Sequence, residues 1–208
     1  MSGQGPSHYF TNPSDPTTVT WQHLRLAERT FDIATASGVF SAAKVDLGTQ
    51  VLLRKVAGPD HQLPHAGLLV DVGCGWGALS LVMATLAPGA QVWAVDVNLR
   101  ALELTSLNAQ RAGLDNLKVA TPDQVGTLRP DVIWSNPPIR VGKPALHQLL
   151  DNWLSRLAPN GHADLVIQRH LGADSLAKWL ASQGYPTERL ASAKGYRVLR
   201  CQSRTRAD

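Results

Sequence analysis

Cysteine is scarce in this sequence, which has only two among 208 residues, Cys74 and Cys201. They lie far apart, and neither has another cysteine or a histidine at the spacing of a metal site. A disulfide-stapled secreted domain and a zinc module are therefore disfavoured. We expect two reduced thiols in a cytoplasmic protein, and no metal in its site.

Long apolar runs are also missing, since none approaches the roughly 20 residues that a membrane-spanning helix needs. The chain begins with a polar, proline-rich stretch that lacks the basic and apolar regions of a signal peptide. The net charge is only +4, with 17% charged residues, which permits an anionic partner such as nucleic acid without requiring one. Length and composition predict one globular domain with a sizeable core and no membrane partner.

Basic residues gather near the C-terminal end, where only Asp208 opposes five of them. Two interpretations stay open: a solvated terminal strand and tail, or an edge that faces RNA. The five are Lys194, Arg197, Arg200, Arg204 and Arg206.

Two short alternating stretches, 19–26 and 31–36, precede the main pattern and predict a β-hairpin. A helix that ends before Gly58 follows them. We therefore divide the chain into an N-terminal arm, hairpin and pre-core helix at 1–57 and a core at 58–208, together forming one structural domain.

Short apolar strands alternate with single helices from Leu68 onward. Such an order implies a mostly parallel sheet with helices on both faces, which is the α/β, Rossmann-like architecture. The last two strands suggest a closing antiparallel pair. Strands are predicted at 68–72, 91–97, 117–120, 130–134, 163–168, 187–192 and 196–201.

A glycine-rich turn joins the first core strand to its helix in "VDVGCGWGALS". Gly73, Gly75 and Gly77 lack the spacing of a dinucleotide site, but glycines let a ligand lie directly against the backbone and the helix N-terminus. Asp71, before them, can accept from a ligand ammonium group or orient the turn. A tight turn with no ligand is the alternative interpretation.

Asp96 ends the second strand about 20 residues after the turn, where a doubly wound fold places an acid against a ribose diol. An interaction with the following helix dipole is the alternative. S-adenosylmethionine suits the site better than a nicotinamide cofactor, because it has no pyrophosphate that the glycine turn would have to bind. Asp123 is either an acceptor for the adenine amine or a turn residue. Cys74 and Val97 complete the predicted cofactor site.

Two consecutive prolines, Pro137 and Pro138, follow the fourth strand in "WSNPPIRVGK". They remove two backbone donors and fix two φ angles, so neither strand nor helix continues through them. The corner is a stop signal or a site, and its place on the same sheet edge as the glycine turn favours a site. The Asn136 side-chain carbonyl and the Pro137 carbonyl can each accept one N–H of a target amine, which would aim its lone pair at a methyl donor.

The motifs "DVGCGWG", "AVDVN" and "SNPPI" resemble those of class I methyltransferases. With "SGVFSAAKVDLGTQVLL" and "KGYRVLR", the chain resembles the bacterial small-subunit ribosomal RNA guanine-N2 methyltransferases, in particular their small single-domain branch. The resemblance covers nearly the whole chain. The longer members of that family carry a further methyltransferase-like domain.

The resemblance implies a sheet of seven strands with the last antiparallel, S-adenosylmethionine as cofactor, and ribosomal RNA or the small ribosomal subunit as partner. It implies that Asp71, Gly73, Gly75 and Asp96 contact the cofactor and that Asn136 and Pro137 hold the target amine. It also implies that Phe40 and Thr49 close over cofactor and substrate.

Ile139 departs from a common pattern, because many amino-group methyltransferases have an aromatic residue there that stacks on the target base. Phe40 is our candidate for that ring. Arg140 and Lys143 would hold neighbouring phosphates, with a solvated loop as the alternative. A protein glutamine amide, adenine N6, a small molecule, or binding without transfer stay open as alternatives, and the sequence indicates no oligomeric state.

Overall fold

The computed structural model describes residues 19–39 and 44–204, apart from the side chain of Arg140. The predicted hairpin is present as β1 (Thr20–Leu26) and β2 (Arg29–Thr35). Its turn is shorter than predicted, because Leu26 already pairs with Arg29. Ala27 makes this tight turn possible by adopting a φ of 51°.

Strands and helices then alternate as the sequence predicts, with shifts of a few residues at their ends. Short 3₁₀ turns at 139–141 and 169–171 precede the last two helices. The remaining elements are α1 (Leu47–Val56), β3 (Leu68–Val72), α2 (Ala78–Leu86), β4 (Gln91–Val95), α3 (Leu99–Ala112), β5 (Leu117–Ala120), β6 (Val132–Ser135), α4 (Lys143–Leu154), β7 (His162–Gln168), α5 (Ala173–Ser182), β8 (Thr187–Ala193) and β9 (Tyr196–Gln202).

The main sheet has seven strands in the order β5-β4-β3-β6-β7-β9-β8. Strands β3 to β7 are parallel, and β9 runs antiparallel to both β7 and β8. The predicted mostly parallel sheet with an antiparallel last strand is confirmed. The strand order reverses between β3 and β6, and in such sheets ligands bind beyond the carboxyl ends of the strands at this point.

Helices cover both faces of the sheet, also as predicted. Buried residues of α1, α2 and α3 form one core cluster with the hairpin, as in the packing of Ile33, Leu52 and Leu81. Residues of α4 and α5, including Leu150 and Leu180, form the second cluster on the opposite face. Among the described helices, none is long and apolar enough to cross a membrane.

Capping residues fix the starts of α3 and α1, which lie next to the carboxyl edge of the sheet. The Asn98 side chain accepts hydrogen bonds from the first turn of α3, and Gly113 ends that helix with a φ of 67°. Both caps agree with the sequence pattern. Asp46 caps α1 in the same manner, which brings the start of α1 to the edge where β6 ends.

Candidate active site

The glycine turn after β3 is held from two neighbouring elements. Gly73 and Cys74 donate their N–H groups to the Val95 carbonyl of β4, at 2.8 and 3.1 Å. The hydroxyl of Thr105 in α3 donates to the Gly75 carbonyl at 2.9 Å. The turn is therefore preorganised by β4 and α3.

Gly73 and Gly75 face open space, whereas Gly77 does not. Both have positive φ, 77° and 57°, and a Cβ at either would have no atom within 4 Å. A Cβ on Gly77 would lie 2.9 Å from a Thr105 methyl carbon, so Gly77 permits close packing of α2 on α3. Two of the three glycines thus leave room for a ligand against the backbone.

Asp96 connects the glycine turn to the start of α3. Its Oδ2 accepts from the Gly75 N–H at 2.9 Å, and its Oδ1 accepts from the Asn98 N–H at 3.0 Å. Burial raises the pKa of this carboxyl, while the backbone N–H groups partly oppose that shift. Each oxygen retains a lone pair, so Asp96 can also accept from a diol placed on the turn.

Asp71 is completely buried under the turn. Its Oδ2 accepts from both the N–H and the hydroxyl of Ser80 in the first turn of α2. Its Oδ1 has no hydrogen-bond partner within the described part of the chain. Burial raises the pKa of Asp71 to about 7. Asp71 thus holds the first turn of α2, and its two predicted roles, orientation of the glycine turn and an interaction with a ligand ammonium group, stay predictions.

Asn136 follows β6, and both of its side-chain N–H groups are engaged. Nδ2 donates to Oδ2 of Asp46 at 2.8 Å and to Oγ1 of Thr49 at 3.1 Å. A carboxylate only accepts, so the opposite orientation of the amide would set two oxygens against each other. The side-chain oxygen of Asn136 is consequently directed away from α1, and among the described residues no donor contacts it.

The two prolines continue this corner. The Pro138 carbonyl accepts from the Val141 N–H at 3.2 Å and thereby starts the 139–141 turn. Pro137 is buried, and no described donor contacts its carbonyl oxygen. Ser135, just before Asn136, donates to the Val72 carbonyl at 2.7 Å. This bond ties the corner to the end of the strand that leads into the glycine turn.

Asp46 is a site residue that the sequence analysis missed. Its Oδ2 accepts from the N–H groups of Gly48 and Thr49, at 2.8 and 3.2 Å, as well as from Asn136. The pattern of an acid three positions before Thr49 indicates a helix cap, but it does not reveal the contact with Asn136. Thr49 was predicted to close over the cofactor. The structure shows it orienting Asn136, and its contact with a cofactor stays a prediction.

The remaining predicted cofactor residues lie near the turn with different exposures. The Cys74 side chain is buried against Thr105, with 3.7 Å between the sulfur and Oγ1, and burial raises the pKa of the thiol well above its usual value. Val97 is 50% exposed beside Asp96, and Asp123 is exposed after β5. Their contacts with a cofactor stay predictions.

The predicted substrate residues are only partly described. Ile139 and Lys143 both line a cleft of about 210 Å³ between α4 and the start of α5. The side chain of Arg140 and all of Phe40 lie outside the described residues. Among the described residues, no cluster of three or more histidine, cysteine, aspartate or glutamate side chains forms a metal site.

The fold and this edge of the sheet define the chain as a class I methyltransferase, as predicted. A model of the methyltransferase small domain matches residues 30–200. The chain therefore belongs to the methyltransferase small domain family.

Known proteins similar to this chain include two sequence relatives and one solved structure. The chain is 30% identical over 200 residues to YbxB of Bacillus subtilis, covering 94% of this chain and 98% of that protein. It is 33% identical over 160 residues to ribosomal RNA small subunit methyltransferase C of Hahella chejuensis, covering 73% of this chain and 45% of that enzyme.

The solved structure is a 16S rRNA N2 methyltransferase of T. thermophilus in complex with AdoMet and guanosine. It superposes with a TM-score of 0.75 at 26% identity, covering 92% of this chain and 52% of that chain. The chain thus spans nearly all of YbxB but about half the length of the ribosomal RNA methyltransferases that it matches.

Proposed function

We propose that this protein transfers a methyl group from S-adenosylmethionine to the exocyclic N2 amine of a guanine in ribosomal RNA. The observation that carries the proposal is the amide of Asn136, whose two donors are engaged by Asp46 and Thr49. Its acceptor oxygen is therefore directed away from α1, and in this proposal it binds the target amine together with the Pro137 carbonyl. The names of the similar ribosomal RNA methyltransferases support the same substrate.

The residues around the glycine turn fit S-adenosylmethionine. Gly73 and Gly75 leave open space against the backbone, and Asp96 offers two acceptor oxygens for ribose hydroxyls. The Oδ1 of Asp71 has no hydrogen-bond partner among the described residues and leaves an acceptor beneath the turn for a ligand ammonium group, whose positive charge would lower the raised pKa of this carboxyl. When bound, the cofactor supplies an electrophilic methyl group on a sulfonium.

The Asn136 corner can activate an amine that is a poor nucleophile. The lone pair of an exocyclic guanine amine is delocalised into the ring, so the amine is a poor nucleophile. Hydrogen bonds from its two N–H groups to Asn136 Oδ1 and the Pro137 carbonyl raise electron density on the nitrogen and orient its lone pair. Neither acceptor is titratable, so the proton leaves to water, and the contribution of the corner is preorganisation.

A guanine in folded RNA has to leave its stack to reach this corner. The partner in this proposal is ribosomal RNA, alone or in the small ribosomal subunit, and the location that follows is the cytoplasm. Guanine N2, adenine N6 and a glutamine amide all present an N–H₂ group to the same acceptors. Identification of the methylated product therefore distinguishes these three targets.

Transfer of a labelled methyl group tests the proposal. The full chain is incubated with labelled S-adenosylmethionine and unmodified small-subunit rRNA, assembled small subunits or total protein, followed by digestion to nucleosides or amino acids. We expect N2-methylguanosine from an RNA substrate with the wild type and with Asn152→Ala, an exposed asparagine in α4, but not with Asn136→Ala. Label recovered only in protein would overturn the proposal.

A further inference from the structure

Most of the basic residues that the structure describes near the C-terminal end are paired with carboxylates. Arg200 makes two bonds of 2.8 Å to Asp164, and Arg204 lies 2.9 Å from Asp151. The third is Arg197 with Asp174, so three of the four basic residues that the structure describes here have carboxylate partners, and Arg206 lies outside the described residues.

Lys194 differs from these three arginines. It lies in the turn between β8 and β9 with a φ of 49°, it is exposed, and within residues 19–39 and 44–204 it has no ion-pair partner. Arg169 follows β7 and is joined to the same turn, because its N–H donates to the Gly195 carbonyl at 2.7 Å. Arg169 is also exposed, and no described carboxylate pairs with it. Two uncompensated cations therefore stand together at the carboxyl end of β7.

This position adjoins the corner that holds Asn136. Strands β6 and β7 are parallel neighbours, with Ser135 paired to Leu165, so their carboxyl ends share one edge. Tyr196 begins β9 opposite Gln168, the last residue of β7. The β8–β9 turn therefore stands over the same edge as the amine-binding corner.

Tyr196 packs directly on the start of α1. A Cβ on Gly48 would lie 2.9 Å from Cε1 of Tyr196 and 2.9 Å from Oδ2 of Asp46, the carboxylate that holds Asn136. Burial, and then the charge of Asp46, raises the pKa of the Tyr196 hydroxyl. The Tyr196 ring therefore lies against Gly48 at the start of α1, beside the carboxylate that binds Asn136.

Tyr196 is also accessible, unlike the tryptophans in the glycine turn and before Asn136. Trp134, two residues before Asn136, is 0% exposed, and Trp76 in the glycine turn is 3% exposed. Tyr196 keeps an intermediate exposure. It is therefore an aromatic side chain at this edge that can meet a base, a function that Ile139 does not provide.

We propose that Tyr196, Lys194 and Arg169 form an RNA-docking surface, the turn surface, in which the Tyr196 ring stacks on the base presented to Asn136 and the two cations hold adjoining phosphates. The inference rests on the proposed function and extends it. Aromatic rings are sequence-tolerant platforms for unpaired bases, and basic side chains fix the register of the nucleic acid backbone. The ring needs little reorganisation because it already packs on Gly48.

The cations are tested through the salt dependence of RNA binding. The probe is a fluorescein-labelled single-stranded RNA containing one guanosine, and its affinity is measured by anisotropy over a range of salt concentrations. Arg169→Gln combined with Lys194→Asn, which tolerates the positive φ, should flatten the slope of log affinity against log salt by about 0.7 for each cation removed. Arg129→Gln combined with Lys178→Gln, two exposed cations away from the turn surface, is the charge-matched control and should leave the slope unchanged.

The ring is tested with Tyr196→Leu and Tyr196→Phe. We expect Tyr196→Leu to weaken binding of the same RNA about tenfold, and Tyr196→Phe to bind like the wild type, while both bind S-adenosylmethionine normally. Replacing the guanosine by 2-aminopurine, which keeps the amine, gives a second readout. Its fluorescence in the bound RNA should be lower on the wild type and on Tyr196→Phe than on Tyr196→Leu, because only an aromatic ring stacks on the base and quenches it.

The outcomes separate the two proposals. If all turn-surface variants bind RNA with the affinity and salt slope of the wild type and still form N2-methylguanosine, the RNA-docking role of the turn surface is overturned and the proposed function is not. Equal fluorescence of bound 2-aminopurine on the wild type and on Tyr196→Leu would overturn the stacking role of Tyr196. A wild-type chain that neither binds nor methylates RNA but labels protein would overturn the proposed function and this surface together.

Discussion

Asn136 donates its side-chain N–H to the carboxylate of Asp46 at 2.8 Å, across 90 positions of the sequence. The same carboxylate oxygen caps α1 through the N–H groups of Gly48 and Thr49. One carboxylate thus positions both the start of α1 and the amide that we propose to hold the target amine. The hydrogen bond to Asp46 therefore fixes the direction of the acceptor oxygen of Asn136.

Replacing Asp46 by serine should separate these two roles. Serine is a good helix cap, but its side chain is too short to hold Asn136, so the amide loses a charge-assisted bond. We expect kcat to fall about 10- to 100-fold, with unchanged affinity for S-adenosylmethionine, measured by steady-state kinetics and calorimetric titration. Asp46→Asn, which keeps an acceptor, is the control and should lose less. Equal kcat in Asp46→Ser and the wild type would refute the positioning role.

Asn136→Asp should create a pair of carboxyl groups with Asp46. Two carboxylates in contact cannot both stay ionised without cost, and they share a proton at lower pH. That shared proton restores a donor toward Asp46. The ratio of variant kcat to wild-type kcat should therefore rise as the pH is lowered from about 8 to about 6. A ratio independent of pH would contradict the contact.

Asp96→Ala should weaken cofactor binding strongly. The substitution removes the acceptor of the Gly75 N–H and the predicted acceptor of the ribose diol. We expect the affinity for S-adenosylmethionine to fall about 10- to 100-fold in a calorimetric titration. Asp115→Ala, at an exposed position after α3, is the control. Asp123→Ala in the same titration tests the predicted contact with adenine, for which a few-fold loss is expected.

Gly75→Ala and Gly113→Ala form a matched pair for the open space at the glycine turn. Both glycines have positive φ, 57° and 67°, and at both a Cβ would meet nothing within 4 Å. The two alanines should therefore destabilise the chain alike, by about 1–2 kcal/mol. Only Gly75→Ala should reduce the affinity for S-adenosylmethionine, by about tenfold or more. Equal affinities in the two variants would place the cofactor elsewhere.

Asp71 should make the stability of the ligand-free protein depend on pH. Its pKa is raised from 3.8 to about 7 in the folded chain. Between these values the folded state binds more protons than the unfolded state, so the contribution of Asp71 to stability falls as the pH rises and is constant above pH 7.

The variant Asp71→Asn removes this titration. The stability of Asp71→Asn relative to the wild type should rise by about 1 kcal/mol per pH unit from pH 5 to pH 7 and then level off. Urea denaturation at intervals of half a pH unit measures this difference. A difference that stays constant with pH would show that Asp71 is already ionised in the folded protein.

The sequence predicted much of the fold and the chemistry of the site because both depend on neighbours along the chain. The alternation of apolar strands and helices is a local periodicity, and it was enough for the α/β sheet with helices on both faces. The end of α3 at Gly113 followed from local cap chemistry. The carboxyl edge of a parallel sheet then brought Asp71, Asp96 and Asn136 together.

Tertiary packing decided which partner each polar side chain finds. Nothing local to Asn136 shows that Asp46 orients its amide, and nothing local to Arg200 shows that Asp164 neutralises it. The same holds for Tyr196, which the sequence places in a terminal strand and the antiparallel pairing with β7 places beside α1. Periodicity and capping are set by residues a few positions apart, whereas hydrogen bonds and ion pairs between elements form only when the packed sheet and helices bring distant residues within about 3 Å.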